Sequence, residues 1–180
     1  MTERSGNTNQ TPSTSSQPGS SADRLDAAVA SVSARYTRLV LVVGTPDSDT
    51  SGALHQLPAR SGCSVVNVGL ELARTLLEVP QRRRPVAGAD AAADIFRGDT
   101  PDGIQVLDHI EVLFQPELRL DPLKIMQDAA RNRVVVAVWP GEWTGTSLRY
   151  AVPSHAEFRE YENPDCLVVE ATPSSTKDRS

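Results

Sequence analysis

Cysteine is almost absent. Cys63 and Cys166 are the only two in a chain of 180 residues. Neither has a second thiol or a histidine at metal-ligand spacing, so there is no disulfide framework or zinc motif, and both thiols read as small core residues. His55, His109 and His155 are scattered, and none has a metal-ligand spacing with another His or Cys. No apolar run approaches the length of a membrane span, and no apolar segment follows the first basic residues as it would in a secretory signal. A soluble, cytoplasmic protein without membrane contact is therefore expected. An excess of cations is missing too. The net charge of −5 argues against a nucleic-acid footprint spread over the chain. The local exception, Arg82-Arg83-Arg84, is read as a solvated turn, with an anion or nucleic-acid contact as the alternative. No G-x-S-x-G elbow supports a hydrolase triad among the many Ser and Asp residues.

What is present is the alternation of an α/β domain. Met1 to Ala22 is polar and lacks apolar periodicity, so it is expected to be disordered, and Thr172 to Ser180 has the same character. Between them, Asp23 to Ala171 is long enough for one domain. Leu25, Val29 and Val32 mark a helix over Asp23 to Arg35, which leads into the apolar run Arg38 to Gly44. Ser51 to Arg60, Leu70 to Leu77, Ala87 to Arg97 and Pro122 to Arg131 read as further helices. Leu70, Ala73, Leu76 and Leu77 would form one apolar face. Ser64 to Val68, Gly103 to Asp108 and Arg133 to Trp139 read as strands, with Ser147 to Val152 and Cys166 to Glu170 as later candidates. Pro80 to Pro85 reads as a loop, and His155 to Glu162 as a surface-packed helix. The pattern predicts a three-layer α/β fold, P-loop NTPase-like, with a mostly parallel sheet of about five strands. Ligands of such sheets sit along the edge formed by the strand carboxyl ends.

One segment at that edge has the outline of a phosphate loop. Gly44-Thr-Pro-Asp-Ser-Asp-Thr-Ser51 follows an apolar strand and precedes a helix, and the pattern expected there is G-x-x-x-x-G-K-[ST]. Gly44 and Ser51 fit. Asp49 replaces the second glycine and Thr50 replaces the lysine. Asp49 tolerates a left-handed turn, but its carboxylate and that of Asp47 oppose a triphosphate. At about 5 Å and an effective dielectric near 20, each such pair costs roughly 3 kcal/mol. Thr50 has no ammonium to offset this. The acid expected opposite is better kept: Ile104-Gln-Val-Leu-Asp108 ends a strand on a carboxylate that would hold magnesium with Ser51, and Glu111 would orient a water.

Leu39-Val-Leu-Val-Val-Gly44, Val66-Asn-Val-Gly-Leu-Glu-Leu72, Leu107-Asp-His-Ile-Glu-Val-Leu-Phe114 and Leu120-Asp-Pro-Leu123 together resemble the BrxF family. The resemblance continues through Arg131-Asn-Arg-Val-Val-Val-Ala-Val-Trp139 and Leu148-Arg-Tyr-Ala-Val-Pro153, covering about Leu39 to Val169. That family is a small P-loop component of type 3 BREX bacteriophage-defence systems. The resemblance implies a bacterial accessory protein working beside other BREX proteins, among them a DNA methyltransferase, a phosphatase-like protein and a large ATPase. A homo-oligomer and an indirect link to DNA stay open. Gly44, Ser51 and Asp108 match the family's nucleotide motifs. Asp49 and Thr50 depart from them, which puts ATP and Mg binding in question and hydrolysis more so.

The first reading is a scaffold or regulatory subunit that is not an active NTPase on its own. The alternative is an ATPase whose missing lysine is replaced by Arg82 to Arg84 or by a partner subunit. A receiver-like magnesium site of Asp47, Asp49 and Asp108 fits poorly, because the first acids fall too far along the chain. Trp139-Pro-Gly-Glu-Trp143, after the strongest strand, places one Trp in the core and the other where it could stack on a base or dock a partner.

Overall fold

A computed structural model describes residues 21–44, 50–61, 63, 65–98 and 103–171, without the side chains at 51, 53 and 58–61. In chain order the elements are α1 Ser21–Val32, β1 Leu39–Val43, α2 Thr50–Ser61, β2 Val65–Asn67, α3 Val68–Leu76, α4 Arg84–Arg97, β3 Ile104–Asp108 and α5 Pro122–Ala129. They continue with β4 Val134–Trp139, β5 Glu142–Trp143, β6 Ser147–Tyr150, β7 Arg159–Glu162 and β8 Leu167–Glu170. Short 3₁₀ turns occupy Gln81–Arg83, Ile110–Phe114 and Pro116–Leu118. The tails at 1–20 and 172–180 lie outside the described residues, as do Asp47 and Asp49.

Five strands form one parallel sheet in the order β2-β3-β4-β1-β8. Its strands are continuous apolar runs because both faces are covered. Side chains alternate between the faces. Leu39, Leu41 and Val43 of β1 join Leu107, Val135, Ala137 and Trp139 in one core. Val40 and Val42 join Val106, Val134, Val136 and Val169 in the other. Helices α1 and α2 cover the second face through Leu25, Val29, Val32, Leu54 and Leu57. Helices α3, α4 and α5 cover the first through Val68, Leu72, Phe96, Leu123 and Met126. The result is three layers with a wholly parallel central sheet, as the alternating pattern predicts.

Several boundaries differ from the sequence reading, each for a local reason. Helix α1 starts at Ser21, inside the expected polar tail. Helix α3 starts at Val68 because the Asn67 side chain caps it, accepting from the Leu70 N–H at 2.8 Å. Starting earlier changes which residues face inward. Val68, Leu72 and Leu76 are buried, whereas Leu70 is 46% and Leu77 80% exposed. Only Leu76 of the expected face is correct. Helix α4 starts at Arg84 with Pro85 in its first turn, where a missing N–H is harmless, so Pro80 to Pro85 is only partly loop. Helix α5 begins as expected: Asp121 accepts from Lys124 N–H at 3.1 Å and Pro122 follows.

A second sheet, antiparallel and ordered β5-β6-β7, lies beyond β4. It corrects the reading of His155 to Glu162 as a helix, because Arg159–Glu162 pairs with β6 as a strand. Alternation accounts for it: Tyr161 packs on the core while Glu160 and Glu162 face solvent. Trp139 ties the two sheets together. Its indole N–H donates to the Arg149 carbonyl at 2.9 Å, and its ring meets Phe114 and Tyr161 edge-on. Gly141 lets the chains approach this closely, since a Cβ there would lie 1.9 Å from the same carbonyl oxygen.

Candidate functional site

The carboxyl ends of β1, β3, β4 and β8 form one edge, and most of the sequence-predicted site residues lie along it. Register relates them. Leu41 and Leu107 both face Ala137 across their ladders, so Asp108 is level with Val42, and Gly44 lies two residues further out. Because β4 intervenes, β1 and β3 are two strand spacings apart, about 9.5 Å. Thr50 is the first residue of α2 and is half-buried. Ser51 is the second, with its side chain outside the described set, and Asp49 is outside it altogether. From this start α2 packs across β1, β4 and β3.

The β3 end is a closed turn. Asp108 is 7% exposed, and its Oδ1 accepts from the His109 N–H at 2.8 Å. His109 takes a left-handed conformation with φ of 55°, an arrangement that non-glycine residues rarely adopt. Its Nδ1 lies 3.3 Å from Glu111 Oε1, and its Nε2 lies 4.0 Å from Asp108 Oδ2. Glu111, expected to orient a water, is thus held against His109 on an exposed turn. Asp108, His109 and Glu111 are brought together. The described residues contain no cluster of three or more His, Cys, Asp or Glu side chains able to hold a metal. As a single carboxylate, Asp108 would fit a magnesium role only as one ligand among waters.

The β1 end is different. Gly44 borders a cavity of about 290 Å³ lined by Val43, Gly141, Glu142, Trp143, Glu170 and Ala171. Trp143 forms a half-buried apolar wall. Glu142 and Glu170 are exposed, and among the described residues no basic side chain pairs with either. Among the described residues the lining contains no Lys or Arg. A phosphate about 5 Å from each carboxylate would be opposed by roughly 1 kcal/mol when fully solvated, and by about 3 at an effective dielectric of 20. The described lining therefore offers a phosphate no cation. Sequence reading missed Glu170 and Gly141. Glu170 carries the same signal that singled out Asp108, an acid closing an apolar strand.

Arg82, named as a replacement cation, lines a different open cleft with Gln81, Pro85, Pro116, Glu117 and Arg119, which shares no residue with the Gly44 cavity. The fold favours the protonated form of both thiols. Burial raises the Cys63 thiol, and burial followed by the Asp165 carboxylate pushes Cys166 up to about 12. No described helix is long and apolar enough to cross a membrane. The edge defines an α/β protein with a three-layer parallel sheet and an acidic site at its carboxyl end. No family model and no curated protein matches the chain.

Proposed function

We propose that the chain is a P-loop-type module with a disabled phosphate side, serving as a scaffold or regulatory subunit of a bacterial BREX anti-phage system. The cavity beside Gly44 carries this reading, with two carboxylates and no basic side chain where a triphosphate would need cations. Asp49 and Thr50 in the loop point the same way. Asp108, buried at the end of β3 with β4 between it and β1, supports descent from a nucleotide-binding domain, because a magnesium-positioning acid belongs there. The segments that resemble BrxF lie on β1, on β2 running into α3, on the β3 turn, at the start of α5, and on β4 and β6. They are the elements that build or support this edge. BREX proteins would be the partners, with any DNA contact made through them.

An active ATPase needs a cation at Gly44, supplied by the Arg82 to Arg84 run or by another chain; Arg82 itself lines a different cleft. Asp108→Ala in the assembled native complex separates the two readings. A scaffold leaves the complex's ATP turnover unchanged. A drop of tenfold or more, with the complex still intact, would make this chain the ATPase.

A further inference from the structure

Arg24, on α1, is the most anomalous polar residue in the described structure. Its Nε and Nη2 are buried and have no hydrogen-bond partner. Guanidinium groups do not shed their charge, and buried N–H donors are nearly always paired. These two donors are also the parallel pair on one side of the guanidinium plane, the pair that grips a carboxylate with two bonds. The missing acceptor is therefore a planar acid.

The surroundings indicate what carries that acid. Arg24, Ala27, Ala28 and Ser31 form one wall of a groove of about 360 Å³, and strand β8 forms the other. The small side chains leave room along the strand. The Ser31 hydroxyl is already satisfied by the Ala28 carbonyl at 2.8 Å. Among the described residues, strand β8 ends the sheet and pairs only with β1. The Ala171 N–H donates to the Val43 carbonyl at 2.7 Å. Alternation then turns the backbone groups of Leu167 and Val169 toward β1 and those of Val168 and Glu170 outward. No described strand lies on that outer side. An outward row of backbone donors and acceptors, unpaired among the described residues, beside the half-buried Arg24 with its two unpartnered donors fits an extended acidic peptide.

We propose that the groove between α1 and β8 is a docking site for a partner's extended segment, which adds a strand to β8 and places an Asp or Glu carboxylate on Arg24. Glu170 lines the same groove but forms no ion pair with Arg24 among the described residues. The site shares Glu170 with the Gly44 cavity but needs no nucleotide.

Two measurements on the full chain test the proposal. In amide exchange, the Val168 and Glu170 N–H groups should exchange at least tenfold faster than that of Val169. Equal protection would mean that the chain already covers its own edge, and would overturn the proposal. In the second, synthetic ten-residue peptides of alternating Val and Thr carry one central Glu or Gln. The Glu peptide should bind at least tenfold more tightly than the Gln peptide. Arg24→Met should erase that difference, and Arg24→Lys should shrink it, because an ammonium keeps the charge but has no fork. Val168→Pro, which removes only an outward N–H, should weaken both peptides about equally. Binding that ignores the acid, or a preference for the Glu peptide that survives Arg24→Met, would overturn the proposal, as would a dimer of the chain that the Glu peptide fails to displace.

Discussion

The carboxyl end of β3 and the carboxyl end of β1 belong to one sheet edge, yet they are built to opposite purposes. At β3 a buried carboxylate is fixed by a backbone N–H, and the next residue accepts a left-handed conformation to make that contact. At β1 the chain opens into a cavity whose ionised groups are both acids. Magnesium chemistry needs the first arrangement, whereas triphosphate binding needs cations at the second. On the reading proposed above, one half of a nucleotide-binding arrangement is kept and the other lost, because the two halves rest on different strands.

The largest effect that separates the two ends comes from Trp139→Ala. Trp139 is 1% exposed and links β4 to the small antiparallel sheet that supplies the Glu142 and Trp143 wall. The truncation should cost about 3–5 kcal/mol in denaturant unfolding. The His109 N–H, held by Asp108 in the β3 turn, should keep its amide protection in residual native protein while the Thr144 N–H, which donates to the Ser147 carbonyl at 3.0 Å, loses its own. Next comes Asp108→Ala, which leaves the His109 N–H without its acceptor and should cost about 1–3 kcal/mol. Asp108→Asn should recover most of that loss, because the amide oxygen still accepts the bond.

Alkaline pH sharpens the contrast on the other side. Tyr161 is raised above its ordinary range by burial first and then by the Asp121 carboxylate, and Cys166 is raised to about 12. In both groups the fold favours the protonated form. Their stabilisation is whole below the unfolded values of 10.0 and 9.0, and is lost as pH rises toward the folded ones. Melting temperature should therefore fall from about pH 9 upward, and Tyr161→Phe should flatten part of that fall. The smallest effect belongs to Glu142→Gln combined with Glu170→Gln. Both carboxylates are exposed, so stability should change by no more than about 0.5 kcal/mol.

The central sheet was legible in the sequence because runs such as Leu39–Val43 and Val134–Trp139 have few alternatives to a strand buried on both faces. The β7 strand was not. Its Phe, Tyr and acids mimic a helix surface, and only pairing with β6 reveals the period of two. The phase of α3 was misjudged because the cap on Asn67 moved its start by two residues. Of the site, Gly44, Thr50 and Asp108 could be placed on the edge from their strand-end positions alone. The acidity of the cavity could not, since Glu142 and Glu170 meet only when β8 packs beside β1, far along the chain from the β4 turn.

The central proposal is that this edge does not seat a triphosphate. Calorimetric titration of the purified chain with Mg-ATP tests it most directly. The account predicts no binding tighter than high micromolar, and no change on Asp108→Ala. Saturable low-micromolar binding that disappears in Asp108→Ala would contradict it.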